Sequence, residues 1–160
     1  MGNLINIGIS DLNVAKDDDT LVTYALGSCV GICLYDKSKC IAGLAHIMLP
    51  WSKESASGSD NKRRFADTGI TELIMLMNRN GASASALTAK IAGGAQMFAS
   101  NSAVFNIGER NVEAVKKVLA TYKIPIIAEQ TGENYGRTVF FSAADGIMQV
   151  KAAGRPTICI

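Results

Sequence analysis

The sequence predicts an α/β fold built largely of antiparallel strands, and three observations predict it. Short runs rich in apolar and β-branched residues crowd the first third, in "NLINIGI", "TLVTYAL", "CVGICLYD" and "CIAGLAHIML", with "DDD" and "DKSK" marking turns between them. Two later segments repeat apolar residues at helical spacing. Of the 160 residues 48% are hydrophobic, enough to bury a real core within one compact domain.

The four early runs read as strands of an antiparallel sheet. The stretch that follows, "WSKESASGSDNKRR", is rich in serine and charge and reads as a mobile loop. "ADTGITELIMLMNRNG" then offers Asp67 and Thr68 as capping residues, repeats Ile70, Leu73, Ile74 and Met77 on one face, and stops at Gly81. It is the first amphipathic helix, and its methionines read as core filling. "LTAKIAGGAQMF" is strand-rich. "NIGERNVEAVKKVLATYKIP" places Val112, Val115, Leu119 and Tyr122 on one helical face before Pro125 forbids continuation, which makes it the second helix. "IPIIAEQTG" and "GRTVFFSAADGIMQVK" give further strands, with Asp145-Gly146 as a tight hairpin turn.

Composition excludes several classes of function. The net charge of +2 balances 16 basic against 14 acidic residues without a long run of either sign, so nucleic acid is not an expected partner. No stretch approaches the roughly 20 apolar residues of a spanning helix, and the N-terminus lacks a basic stretch followed by a long apolar one, so the expected location is cytoplasmic, without membrane insertion. There the four cysteines, Cys29, Cys33, Cys40 and Cys159, are expected as free thiols. On one strand Cys29 and Cys33 lie about 13 Å apart, too far for a disulfide and awkward for a shared zinc ion with Cys40 and His46. No metal site is expected.

Candidate chemistry centres on "TYALGSCVG". Cysteine is among the most buried residue types, which fits Cys33, Cys40 and Cys159. Cys29 differs because Gly27 and Ser28 precede it at a turn into a strand, where small residues leave room for a substrate and expose backbone N–H groups. A spacer and a nucleophile both fit Cys29 at this point. His46, the only histidine, sits in the apolar "GLAHIMLP", where a core role and a base role are both open. Only it can serve as the base that a thiol nucleophile needs near neutral pH, and the "DKSK" turn allows their strands to be adjacent. Thr23 is positioned to orient the imidazole, although its presence in a strand also follows from β-propensity. The acidic run Asp17 to Asp19 reads as a solvated turn. Gly93-Gly94 lacks a phosphate-loop signature and reads as a tight turn near the site.

In order, "TYALGSCVG", "GLAHIMLP", "FADTGITELI", "KIAGGAQMF", "NIGERNVEAVK" and "GRTVFF" resemble the CheD family of bacterial chemoreceptor glutamine deamidases, from about Ile7 to Val150. The resemblance implies a single deamidase domain over residues 1–160, layered α/β/β, with a Cys-His-Thr triad at Cys29, His46 and Thr23. It implies hydrolysis of chosen glutamine side chains on methyl-accepting chemotaxis receptors to glutamate, and in some members methylesterase activity. Cys29 attacks the amide carbonyl, His46 moves the protons, and backbone N–H groups around Gly27, Ser28 and Cys29 hold the oxyanion, with no metal or organic cofactor. Many members also bind a CheC-type phosphatase, so the alternative is a binding module that modulates such a phosphatase. A cysteine hydrolase of backbone amides is a further alternative, disfavoured because no second cleft-forming domain is evident. The chain departs from the family at Phe65, where tyrosine is common, at Trp51 after the proline of the histidine motif, and in "TGENYGR". The loop after the histidine strand, with Lys53, Lys62, Arg63 and Arg64, is expected to settle on acidic faces of receptor helices.

Overall fold

The computed structural model describes residues 2–55, 61–97 and 106–160. Ten strands and two long helices follow in the order β1 (Leu4–Asn6), β2 (Asp11–Lys16), β3 (Thr20–Leu26), β4 (Val30–Asp36), β5 (Ile41–Ile47), α1 (Ala66–Arg79), β6 (Leu87–Gly93), α2 (Ile107–Thr121), β7 (Ile126–Thr131), β8 (Arg137–Ser142), β9 (Met148–Lys151) and β10 (Ile158–Cys159). One sheet is ordered β1-β3-β8-β9-β10 and the other β2-β5-β4-β6-β7. Every pairing is antiparallel except β1 with β3 and β6 with β7. This is the α/β class expected, with mostly antiparallel sheets.

Strands β4 and β5 are buried along their whole length because both of their faces are covered. On one side Ile32, Leu34, Ala45 and Ile47 join Ile70, Leu73, Met77, Val115 and Leu119 of the helices. On the other, Cys33, Ala42 and Leu44 meet Leu21, Val139, Phe141 and Met148 of the first sheet. The layers are helices, sheet, sheet. Gly43 lets α1 settle onto β5, since a Cβ there would lie 2.5 Å from the Met77 sulfur.

Several expectations need correction. The strand in "NLINIGI" is shorter than the run, ending at Asn6, and a strand not expected, β2, begins at Asp11 in the other sheet after Ser10 takes a positive φ of 61°. Helix α1 buries the expected Ile70, Leu73, Ile74 and Met77, but its N-cap is Phe65, with no side-chain cap. Asp67 instead accepts from Ser52 N at 3.1 Å and Ser52 Oγ at 2.7 Å. The expected Val115 and Leu119 of α2 are buried and Val112 packs against the core, but Tyr122 is exposed, and the inward face also takes in Gly108, Asn111, Ala114 and Val118. The turn at Asp145-Gly146 belongs to a longer connection between β8 and β9, closed by Gly146 N donating to Ser142 O at 2.9 Å. Of the serine-rich loop, residues 56–60 lie outside the described residues, and Ser52–Glu54 and Lys62–Arg64 form short 3-10 turns.

Candidate functional site

The imidazole of His46 projects from β5 into the layer between the sheets, where it is fully buried. It meets Thr23 of β3, with Thr23 Oγ1 2.6 Å from His46 Nδ1. The same hydroxyl donates to Ile7 O at 2.8 Å. A hydroxyl has one proton and a carbonyl oxygen can only accept, so Thr23 must accept from His46 Nδ1–H. The tautomer follows: Nε2 carries the lone pair. Among the described residues that buried nitrogen has no hydrogen-bond partner.

Cys29 lies in the bend just before β4, two residues ahead of Gly31, which pairs with His46 across β4 and β5, and its side chain packs against the core between the two sheets. A Cβ on Gly31 would crowd Leu26 Cδ1 at 3.2 Å, so glycine there lets Leu26 pack onto this end of β4. The thiol is half-buried at the edge of the inter-sheet core, whereas Cys33 is buried with its sulfur donating to Met148 Sδ at 3.7 Å. All four cysteines are free.

A bulge delivers the loop that carries Cys29. The β3–β8 register slips between Thr23 and Leu26, and Ala25 takes a positive φ of 60°. Carbonyls of the loop are then tied down: Gly27 O accepts from Ala95 N at 2.9 Å, Ser28 O from Asn111 Nδ2 at 2.9 Å, and Cys29 O from Gly94 N at 2.8 Å. In a trans peptide the N–H opposes the C=O, so the N–H groups of Ser28 and Cys29 face away from this anchor. Gly93 ends β6 and Gly94 follows it, both at positive φ and against the Cys29 loop rather than in the expected turn. A Cβ on Gly93 would lie 2.3 Å from Cys29 O, and its φ of 106° favours glycine.

Burial pushes the Cys29 thiol up, its own backbone N–H offsetting part of that effect. Burial also pushes His46 from an ordinary 6.5 down to about 4. At neutral pH the pair is therefore a neutral thiol beside a neutral imidazole, not a preformed ion pair. The hydroxyl on Nδ1 adds no charge to counter this. The acidic run Asp17 to Asp19 sits at the turn between β2 and β3, and Asp11, which pairs with His46 across β2 and β5, is held by Arg63 at 2.6 Å. No three His, Cys, Asp or Glu side chains converge as a metal ion would need among the described residues, and Cys40 lies at the far end of the β4–β5 hairpin from His46.

The sequence reading passed over Asn111 and Gly31. A polar residue on the buried stripe of α2, between Gly108 and Val115, was the available sign of the first. Gly31 opposite His46 follows once the hairpin register is written out.

A profile described as CheD chemotactic sensory transduction matches residues 48–152. Relatives aligned over nearly the whole chain cover the segments of Thr23, Cys29 and His46 as well. A protein of Lachnoclostridium phytofermentans, named a probable chemoreceptor glutamine deamidase CheD, is 49% identical over 158 residues, 98% of either chain. Proteins of the same name from Caldanaerobacter subterraneus and Clostridium novyi are 52% identical over 94% of either chain and 51% identical over 94% of this chain and 93% of that one. Among solved structures, the Bacillus licheniformis hypothetical protein YfiH covers 76% of this chain and 50% of its own at a TM-score of 0.48 and 16% identity, a likeness that carries no argument. With more than half of its length matched by the family profile and near full-length relatives at about half identity, this chain belongs to the CheD family.

Proposed function

We propose that residues 1–160 act as one deamidase domain that hydrolyses the side-chain amide of glutamine residues on chemotaxis receptors, with Cys29 as nucleophile, His46 as base and Thr23 as its orienting group. The observation that carries the reading is the Thr23–His46 contact, which leaves a buried, unpartnered Nε2 lone pair on the side of the sheet where Cys29 lies. The names of the relatives point to the same reaction.

Cys29 Sγ attacks the amide carbon as its proton passes to His46 Nε2. The two neutral groups share this proton in the transition state, where the developing imidazolium and oxyanion stabilise one another. N–H groups of Ser28 and Cys29 receive the oxyanion, and the small Gly27 leaves room beside them. Collapse returns the Nε2 proton to the leaving nitrogen and releases ammonia, leaving a thioester. A water then gives its proton to Nε2 and attacks the thioester carbon, which frees the glutamate and restores the thiol. Amide and water become acid and ammonia, with nothing oxidised or reduced.

No described helix is long and apolar enough to cross a membrane, which fits action on the cytoplasmic part of a receptor. A buried nitrogen left without a partner among the described residues costs about 1–3 kcal/mol, a cost that catalysis explains and a module binding only a CheC-type phosphatase does not. The test incubates the purified protein with receptor cytoplasmic fragments. We expect mass gains of about one dalton at defined glutamines and an equal yield of ammonia. Folded protein that leaves receptor masses unchanged overturns the reading.

A further inference from the structure

Helix α2 carries a fully buried asparagine, and its side-chain nitrogen joins two segments that are distant in sequence. Asn111 Nδ2 donates to Ser28 O at 2.9 Å and to Met48 O at 2.9 Å. Both acceptors are carbonyls, which fixes the orientation of the amide. Ser28 immediately precedes Cys29, and Met48 follows His46 by two residues. The last ladder pair of β4 and β5 is Val30 with Ile47. Immediately beyond it, the hydrogens of one amide replace the ladder.

The two bonds satisfy backbone carbonyls, but the residue also carries a stability cost. Its Oδ1 is buried and has no partner among the described residues, and its stripe on α2 is otherwise small or apolar, from Gly108 through Ala114, Val115 and Val118. The helix is also drawn in closely enough for Asn111 to reach both carbonyls. A Cβ on Gly108 would lie 2.3 Å from Ala95 O, so only glycine allows this approach.

We propose that Asn111 is a positioning residue: its amide staples the Cys29 loop to the end of the His46 strand and so sets the separation of thiol and Nε2. The inference rests on the proposed pairing of Cys29 with His46. Asn111 touches neither substrate nor reacting atoms. Its effect is geometric, and a displacement near 1 Å at such a site lowers turnover by about 100-fold.

The test is a double-mutant cycle on the rate at which iodoacetamide alkylates Cys29, read at that cysteine by peptide mass at pH 7. It compares wild type, Asn111→Ala, His46→Ala and the double variant, using only proteins that melt cooperatively. Asn111→Asp, which keeps the shape but has at most one hydrogen for two carbonyls, runs through the same cycle in case Asn111→Ala does not fold. We expect the Asn111 variants to slow alkylation when His46 is present and to change nothing when it is absent. Equal slowing in both backgrounds marks a merely structural role and overturns the inference. Alkylation of His46→Ala at the wild-type rate shows that His46 does not serve the thiol, which overturns the pairing and the inference with it.

Discussion

Thr23→Val keeps the shape of the side chain and removes the oxygen that accepts from His46 Nδ1–H. The proton is then free to move to Nε2, the nitrogen that must accept from the thiol, and the ring loses its anchor. We expect kcat on receptor fragments to fall about 10- to 100-fold with the fold retained, a smaller loss than removal of either proton-exchanging group. Wild-type kcat in Thr23→Val takes Thr23 out of the site. The depressed His46 also has a consequence for stability. The folded protein holds the imidazole neutral down to about pH 4, while the unfolded chain binds a proton near 6.5. The unfolded state therefore binds more protons between these values, and stability is lost as pH falls from 6.5 toward 4 and levels off below. The difference in thermal midpoint between wild type and His46→Gln should follow that window, and a difference independent of pH contradicts it. His46 and Cys29 were legible as chemical candidates because only one histidine exists and a turn brings their strands together. Thr23 was legible as an orienting hydroxyl on the preceding strand, but not that its contact crosses between two sheets, which depends on a three-layer packing that residue periodicity does not record.

Gly94 and Ala95, just after β6, hold the loop that carries Cys29 through their N–H groups. Gly93→Ala drives a methyl group to within 2.3 Å of Cys29 O at a φ of 106°, so either the loop or β6 must shift. Gly132→Ala is the control, with a positive φ of 81° but nothing within 4 Å of the new Cβ. It should cost only backbone strain, about 1 kcal/mol, and leave turnover near wild type. Gly93→Ala should lose turnover by about 10-fold or more beyond its loss of stability. Equal behaviour of the two variants removes Gly93 from the account. Elements with continuous or strictly periodic apolar content, β4, β5 and α1, were readable from the sequence. Strand β2 was not, because its alternation over Asp11, Leu12, Asn13 and Val14 breaks at Ala15 and Lys16 and the chain passes from one sheet to the other through a positive φ on Ser10 that no composition signals. On α2 the inward Gly108 and Asn111 were missed for a related reason: they face the core for closeness and hydrogen bonding, neither of which hydrophobicity measures.

At the scale of the molecule the question is how a folded receptor reaches a half-buried thiol. The sequence reading assigned receptor contact to Lys53, Lys62, Arg63 and Arg64 together, but Arg63 is occupied, held by Asp11 at 2.6 Å and Glu72 at 2.8 Å, and replacing it would loosen β2 against α1. Lys53 and Lys62 are exposed at the two ends of the loop that follows the histidine strand. We expect Lys53→Gln with Lys62→Gln to lower turnover on intact receptor fragments a few-fold at low salt and to match wild type at high salt, where such contacts are screened. Equal turnover across the salt series makes the loop a connector only. The layered architecture itself was predictable as α/β from the apolar runs, and its order of helices, sheet and sheet came through family resemblance. In the proposed mechanism fold and activity are tied because two sheets meet at Thr23 and His46 while the loop leading into β4 carries the thiol. The most direct measurement is therefore the mass of receptor glutamines after incubation with wild type, Cys29→Ala and Cys33→Ala, all shown to be folded. The account predicts gains of about one dalton with wild type and Cys33→Ala and none with Cys29→Ala. Gains of wild-type extent from Cys29→Ala would contradict it.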